Sequence, residues 1–240
     1  MTCYTNTAGR PNDEPCHAAP PVKALIRDWT VVVMLAIVAL IGVGKVGEDV
    51  FEHETTSFDG AVQSWALLHQ AAVLTPVFVF ITTLGGVASM FMIALAGSLF
   101  LAVRGHRRAA AGTLIAPAVA VVLFTLVKRV YARSRPVGLG GIVPSSYSFP
   151  SGHATGSTAV CCTLAYVFWR EGYISRPTAL TIAILPPLLI GASRIYLNAH
   201  WATDVIGGWS AGLLIAVLFA GLYDRHRHQF RPDVAPTRNS

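Results

Sequence analysis

The stretch AAAGTLIAPAVAVVLFTLVKRV, residues 109–130, carries no charged side chain before Lys128. A helix needs about 20 mostly apolar residues to cross the hydrocarbon core of a bilayer, so this stretch predicts a transmembrane helix. Five further segments have the same character, namely residues 29–46, 75–103, 154–169, 176–197 and 204–223. We therefore predict an all-α fold, a polytopic membrane bundle of six transmembrane helices.

The composition of the whole chain agrees with the bilayer as its main solvent. Of 240 residues, 53% are hydrophobic and only 12% are charged, and the mean hydropathy is +0.55. A soluble domain is about one quarter charged. The composition therefore argues against a soluble protein, and we expect the bilayer and a lipid, not a nucleic acid, as partners.

The distribution of basic residues predicts the orientation in the membrane. If both ends of the chain lie in the cytoplasm, 12 of the 18 Lys and Arg residues fall on that side. The predicted parts of the chain are then a disordered cytoplasmic tail over residues 1–28, a six-span domain over residues 29–223 and a basic cytoplasmic tail over residues 224–240. In this arrangement the connections after the first, third and fifth spans face the outside.

The connection between the first two spans contains an amphipathic pattern. Apolar residues recur every three or four positions, polar residues fall between them, and Ser57 is placed to cap the start. The pattern predicts a helix on the outer membrane surface. A helix packed over the bundle is an equally good interpretation. The apolar residues are Phe58, Val62, Trp65, Leu68 and Ala72, and the polar ones are Asp59, Gln63 and Gln70.

Three polar groups lie at the ends of predicted spans. They are KRVYARSRP at residues 128–136, PSGH at residues 150–153 and SRIYLNAHWATD at residues 193–204. All three fall on the outer side, and an irregular Gly- and Pro-rich connection, residues 131–152, joins the first two. Long irregular loops in compact bundles are usually functional or disordered. Because charged groups near a bilayer are unfavourable, their concentration at one face predicts a functional site.

The residue types at these span ends favour phosphate chemistry. Lys128, Arg135 and Arg194 are three cationic donors, and a guanidinium matches two phosphate oxygens at once. Ser151 and Gly152 would present backbone N–H groups at a helix start, where the helix dipole favours an anion. We expect these five residues to bind a phosphate group and to stabilise its charge during transfer.

Two histidines and an aspartate complete the candidate site. His200 and Asp204 are four residues apart and would share a face if one helix contained both. A carboxylate bonded to one ring nitrogen raises the basicity of the other, which can then attack phosphorus to give a phosphohistidine. His153, at the opening of a helix, is placed to give a proton to the leaving oxygen. For the nearby Arg129 and Arg133 the sequence predicts no specific contact.

Together the three groups resemble the motifs of a known family. Residues 128–136 match K-x6-R-P, residues 150–153 match P-S-G-H and residues 193–204 match S-R-x5-H-x3-D. In type and order they resemble the type 2 phosphatidic acid phosphatase superfamily, whose membrane members have six spans. The roles that the resemblance implies are phosphate binding by Lys128, Arg135, Ser151, Gly152 and Arg194, proton donation by His153, nucleophilic attack by His200 and orientation of His200 by Asp204.

The resemblance also implies an activity. Membrane members of this family act without a metal or other cofactor on lipid phosphates or diphosphates, including phosphatidylglycerol phosphate, phosphatidic acid, undecaprenyl diphosphate and lipid A. We therefore expect a lipid phosphatase in the cell inner membrane with its active site facing the periplasm. Two alternatives stay open: a lipid phosphotransferase that passes the phosphoryl group to a second lipid, and a polytopic lipid transporter or flippase. In a transporter the polar residues would lie nearer the bilayer midplane.

Overall fold

The computed structural model describes residues 22–52, 54–136 and 146–229. These residues are mostly helical, and they contain no strand, so the predicted all-α class is confirmed. In chain order the helices are α1 (Val22–Phe51), α2 (Thr56–Leu68), α3 (Leu74–Leu84), α4 (Val87–Val103), α5 (Arg107–Tyr131), α6 (Gly152–Arg170), α7 (Arg176–Tyr196) and α8 (Ala202–Gln229).

Both predicted tails overlap with helices. The first helix, α1, begins at Val22, so residues 22–28 are helical where the sequence analysis expects a disordered tail. The last helix, α8, continues to Gln229 and includes the first residues of the predicted basic tail. Residues 1–21 and 230–240, which hold the rest of both predicted tails, lie outside the described residues.

The bundle has the lengths and the surface of a membrane protein. Within the described residues three helices are long and apolar enough to cross a bilayer, and α3 and α4 make a fourth candidate if the two form one span. Met92 and Leu99 of α4, for example, are 64% and 63% exposed. Such a surface suits lipid and is unfavourable in water. The three candidate spans are Arg107–Tyr131, Arg176–Tyr196 and Ala202–Arg225.

The prediction of a single helix over residues 75–103 is wrong. The segment is broken at Gly85 and Gly86 into α3 and α4, whose axes differ by 54°. Gly85 packs closely against neighbouring helices, because a Cβ there would lie 2.3 Å from Cγ2 of Ile190 and 3.3 Å from Cδ2 of His153. Gly86 has an extended backbone conformation before α4 begins. Two adjacent glycines without side chains permit this break, which brings the end of α3 next to α7.

The central helix of the bundle is α6, which packs against α4, α5, α7 and α8. Its buried residues are mainly small, as at Ala154, Thr155 and Ala159. Gly212 of α8 makes a close approach, because a Cβ there would lie 2.5 Å from the backbone oxygen of Thr155. Small residues let two helices cross at short distance. The crossing fixes the start of α6, at Gly152, beside the start of α8.

The short helix α2 joins the bundle through polar side chains. Its N-cap is Thr55 and not the predicted Ser57, and no side chain caps its first N–H groups. Of its apolar residues, Trp65 and Leu68 are 61% and 82% exposed. Asp59, which the pattern places on the polar face, is only 2% exposed. The polar face of α2 therefore packs on α7 and α8, and much of its apolar face points away from the bundle.

The end of the bundle remote from Lys128 and His200 is closed by ion pairs and aromatic side chains. Arg170 pairs with Asp224 at 3.0 Å, and the hydroxyl of Tyr166 donates to the same carboxylate at 2.5 Å. Two apolar layers lie between this end and the other. One consists of Met90, Ala94, Val160 and Ile190, and the other of Ala120, Ala159 and Ile215.

Candidate active site

The three polar groups of the sequence meet around a cavity at one end of the bundle, where α5 and α7 end and α6 and α8 begin. The cavity has a volume of about 400 Å³. Two of the predicted site residues, Ser151 and Asp204, lie behind its wall and are 0% exposed. The residues that line the cavity are Lys128, Arg135, Gly152, His153, Arg194 and His200 from the predicted site, with Val87, Phe124, Thr125, Arg129, Ser146 and Tyr147.

His200 and Asp204 are paired, although one helix does not contain both. Asp204 lies in the first turn of α8, whereas His200 precedes that helix. Nδ1 of His200 lies 3.4 Å from Oδ2 of Asp204, and the N–H of Trp201 donates to the same oxygen at 2.9 Å. The condition of one helix through both residues is not met, because the chain turns between α7 and α8, where Asn198 has a left-handed φ of 52°.

His200 is a neutral imidazole with its lone pair towards the cavity. Burial lowers the pKa of His200 to about 3, although Asp204 acts in the opposite direction. The contacts assign the tautomer, since Nδ1 carries its proton towards Asp204 and Nε2 accepts from Nη1 of Arg135 at 3.1 Å. A neutral imidazole held in this tautomer is ready to act as a nucleophile through Nε2.

Lys128 holds the polypeptide that precedes α6. Its ammonium donates to the backbone oxygens of Tyr147 and Ser148, the second at 3.1 Å. A lysine near the end of a membrane helix can reach the polar boundary in this way. Residues 137–145, which contain most of the Gly- and Pro-rich connection, lie outside the described residues.

Arg135 connects the two sides of the cavity. Its guanidinium donates to the backbone oxygens of Ser146 and Ala199, each at 2.8 Å. Burial lowers the pKa of Arg135, and the negative charge of Asp204 opposes that effect. Because it donates to both segments, the planar guanidinium of Arg135 connects the loop before α6 to the turn that carries His200.

Arg194 reaches the cavity from the last turn of α7. Its Nη1 donates to Oγ1 of Thr82 at 2.7 Å, and the bend between α3 and α4 places that threonine beside it. Nε of Arg194 is buried and has no hydrogen-bond partner among the described residues. A buried donor without an acceptor is unfavourable, so an anion in the cavity would satisfy it.

The start of α6 offers fewer N–H groups than predicted. The N–H of Ser151 donates to the backbone oxygen of Asp204 at 2.9 Å, so this group is not available to a phosphate. The hydroxyl of Ser151 is buried and has no partner within the described parts of the chain. Gly152 does line the cavity, and a Cβ there would lie 3.2 Å from Cζ of Phe124. The first N–H groups of a helix lack intrahelical partners, so donation from the Gly152 N–H to an anion stays a prediction.

Three residues that support the site have no predicted role in the sequence analysis. The hydroxyl of Ser148 donates to Oδ2 of Asp204 and lies 3.4 Å from Nδ1 of His200. Nη1 of Arg133 donates to Oδ1 of Asp204 at 2.7 Å, and its Nη2 donates to Oδ2 of Asp59 at 2.6 Å. No sequence pattern joins these groups, since Arg133 is 71 positions from Asp204 and 74 positions from Asp59.

The charge of the lining suits an anionic ligand. Among the described residues, those that line the cavity include lysine and arginine side chains and no carboxylate. Among residues 22–52, 54–136 and 146–229 no group of three or more His, Cys, Asp or Glu side chains is arranged to hold a metal ion. The site therefore matches a phosphate group, whose oxygens accept from ammonium and guanidinium donors.

The amino-acid sequence is similar to those of known proteins. The sequence model of the PAP2 superfamily matches residues 109–228. The chain is 32% identical to phosphatidylglycerophosphatase B of Bacillus subtilis over 180 residues, which cover 73% of this chain and 87% of that protein. It is 30% identical to an undecaprenyl-diphosphatase of Sulfolobus acidocaldarius over 131 residues, 50% of this chain and 58% of that protein. The chain thus spans a little over half of the length of the second relative.

A solved structure shares the arrangement of the helices. It is the crystal structure of a transmembrane PAP2 type phosphatidylglycerolphosphate phosphatase from Bacillus subtilis, with a TM-score of 0.68 and 29% sequence identity. The match covers 83% of this chain and 98% of that chain. The similarity therefore extends over most of the bundle.

Proposed function

The chain belongs to the PAP2 superfamily, and from this membership we propose that it is an integral membrane phosphatase that hydrolyses a lipid phosphate or diphosphate. The observation that carries the proposal is the cavity, in which Lys128, Arg135 and Arg194 surround the same space as His200. Relatives in the superfamily are named as phosphatases of a phospholipid and of a polyprenyl diphosphate. The apolar exterior of the bundle lets the tail of such a substrate stay in the bilayer while its head group enters the cavity.

The first half of the reaction transfers the phosphoryl group to the protein. The phosphate binds between the three cations and accepts hydrogen bonds from their side chains. The lone pair on Nε2 of His200 attacks phosphorus, and the P–O bond to the lipid breaks with its electron pair on the leaving oxygen. Asp204 stabilises the positive charge that develops on the imidazole, and His153 gives a proton to the leaving oxygen.

The second half releases inorganic phosphate. His153 takes a proton from a water molecule, and the water oxygen attacks phosphorus. The N–P bond breaks and its electron pair returns to Nε2 of His200. The proton balance closes because His153 donates one proton to the lipid product and regains one from water.

We further propose a membrane placement with six spans, formed by α1, the α3–α4 pair, α5, α6, α7 and α8, and with the cavity on the outer face. The bias of basic residues supports this orientation. The exposed Trp65 and Leu68 support a position for α2 at the membrane surface. A cysteine at position 147, where Tyr147 is 47% exposed, should react with a membrane-impermeant thiol reagent in intact cells. A cysteine in place of Arg107, at the other end of α5, should not; the reverse pattern would contradict the orientation.

The activity itself is tested with purified protein in detergent. We expect phosphate release from at least one of phosphatidylglycerol phosphate, phosphatidic acid, undecaprenyl diphosphate and lipid A, in the presence of a chelator and with inhibition by vanadate. His200→Ala should abolish release while the protein stays folded. Loss of activity in chelator would contradict the metal-free mechanism. Transfer of phosphate to a second lipid without release of inorganic phosphate would identify a phosphotransferase instead.

A further inference from the structure

We propose that Arg133 and Asp59 are positioning residues for the reaction, and that they make α2 a working part of the active site. This inference rests on the proposed phosphatase function. Arg133 lies between two carboxylates: Nη1 is 2.7 Å from Oδ1 of Asp204 and Nη2 is 2.6 Å from Oδ2 of Asp59. The side chain of Arg133 is 15% exposed, and those of Asp59 and Asp204 are 2% and 0% exposed. The three charges therefore form a buried chain from α2 to the partner of His200.

Each oxygen of Asp204 has its own set of donors. Oδ2 faces Nδ1 of His200 and accepts from Ser148 and the N–H of Trp201. Oδ1 accepts from Nη1 of Arg133. Arg133 thus holds the oxygen that the imidazole does not use and prevents rotation of the carboxylate about its bond to the chain. Partners of this kind orient a reactive group without touching the substrate.

Asp59 holds Arg133 in place and also binds the start of α8. Its Oδ1 accepts from the backbone N–H of Thr203 at 3.0 Å, and its Oδ2 accepts from the hydroxyl of Thr203 at 2.6 Å. That hydroxyl accepts in turn from Nη1 of Arg133 at 2.9 Å. A carboxylate at the first N–H groups of a helix is favoured by the helix dipole. Asp59 therefore caps α8 from another helix, one residue before Asp204.

The geometry favours positioning over simple stabilisation. A buried ion pair contributes little net stability because desolvation of the charges offsets their attraction, whereas removal of one partner leaves an unpaired buried charge. If Arg133 and Asp59 served only stability, the double variant, which removes one charge of each sign, should recover kcat along with part of its stability. If Arg133 holds Asp204, the double variant should be more stable than Arg133→Gln but remain catalytically impaired.

The test measures kcat, KM and thermal unfolding in detergent for Arg133→Gln, Arg133→Lys, Asp59→Asn and the double variant Asp59→Asn with Arg133→Gln. In Arg133→Gln we expect kcat to fall by about 10- to 100-fold, the range known for partners of this kind, with KM nearly unchanged. The kcat of Arg133→Lys should lie between those of Arg133→Gln and the wild type, since one ammonium cannot bridge two carboxylates as a guanidinium does. The double variant should unfold at a higher temperature than Arg133→Gln, because it removes one charge of each sign, and it should keep the low kcat.

A matched control is the ion pair of Arg170 and Asp224 at the opposite end, which has a similar separation of 3.0 Å. Asp224→Asn should lower the unfolding temperature without a change in kcat of the folded protein. The inference is overturned if the double variant recovers wild-type kcat, or if KM rises at constant kcat, because Arg133 would then act on substrate binding. Wild-type protein and His200→Ala are assayed alongside. If wild-type protein releases no phosphate, the proposed phosphatase function is wrong. If wild-type protein is active but one of the overturning results above is found, only the positioning role of Arg133 and Asp59 is wrong.

Discussion

Nη1 of Arg135 lies 3.1 Å from Nε2 of His200, the ring nitrogen that faces away from Asp204. This donor satisfies the lone pair that is proposed to attack phosphorus. A bound phosphate would draw the same guanidinium onto one of its oxygens and free the lone pair. The contact therefore places the proposed nucleophile and the proposed phosphate-binding guanidinium within one hydrogen bond of each other.

The first prediction concerns the shape of this cation. Arg135→Lys keeps a positive charge but loses the planar fork, and we expect kcat/KM for phosphate release to fall by about 100-fold, the loss typical of one donor to a transition state. Arg135→Gln should lose more. The matched control is Arg107→Gln, an exposed cation at the other end of α5, which should behave as wild type. Equal activity of the lysine variant and the wild type would show that charge alone is sufficient.

The second prediction separates proton donation by His153 from phosphate binding. His153→Gln should lower kcat for a lipid phosphate by about 100-fold or more, because an alkoxide is a poor leaving group without a proton. For 4-nitrophenyl phosphate the loss should be much smaller, since nitrophenolate leaves without protonation. Phosphate release is measured for both substrates with the same protein. An equal loss on both would assign His153 to binding and not to acid catalysis.

The third prediction follows from the buried neutral state of His200. The folded protein lowers the pKa of His200 from 6.5 to about 3, so below about pH 6.5 the unfolded chain binds the extra proton and the folded chain does not. Stability should therefore fall as the pH decreases from 6.5 towards 3. Unfolding temperatures in detergent are compared for wild type and His200→Gln, and the variant should lose less stability between pH 7 and pH 4.5. Parallel curves would mean that His200 is protonated in the folded protein.

The fourth prediction concerns the crossing of α6 and α8. In Gly212→Ala the new Cβ would lie 2.5 Å from the backbone oxygen of Thr155, and backbone at a helix crossing cannot move aside freely. We expect a loss of about 1 to 3 kcal/mol in the free energy of unfolding, typical of overpacking, with reduced kcat because the start of α6 shifts. Gly44→Ala in α1, where nothing lies within 4 Å of the new Cβ, is the control. It should raise stability by about 1 kcal/mol at most, from helix propensity.

The sequence predicts the helices and much of the cavity wall because both depend on local information. A membrane span must satisfy its backbone hydrogen bonds internally, so an apolar stretch such as residues 109–130 has to be helical. Helix direction then decides which ends meet, and this brings Lys128, His153 and His200 to one end of the bundle. Their catalytic roles remain predictions.

Contacts between distant segments could not be read in the same way. At the break, Gly85 lies against Ile190 of α7, and a glycine pair in the sequence indicates neither this contact nor the bend. Asp59 has the spacing of a solvated residue on α2, and its partners in the buried position, Arg133 and Thr203, are far away in the sequence. The hydroxyl of Ser148 belongs to an irregular loop, for which no periodicity exists to predict a contact with Asp204.

The end of the bundle that holds the ion pair of Arg170 and Asp224 lies opposite the cavity, and this separation bears on whether the protein lets protons cross the membrane. In the described helices, the apolar clusters around Met90 and Ala120 lie between the cavity and the ion pair of Arg170 and Asp224, and we expect them to impede the passage of water and protons. A membrane that contains many copies of the protein should then hold its electrochemical gradient. Liposomes loaded with a pH-sensitive dye and reconstituted with the protein should therefore keep an imposed pH difference as long as protein-free liposomes do.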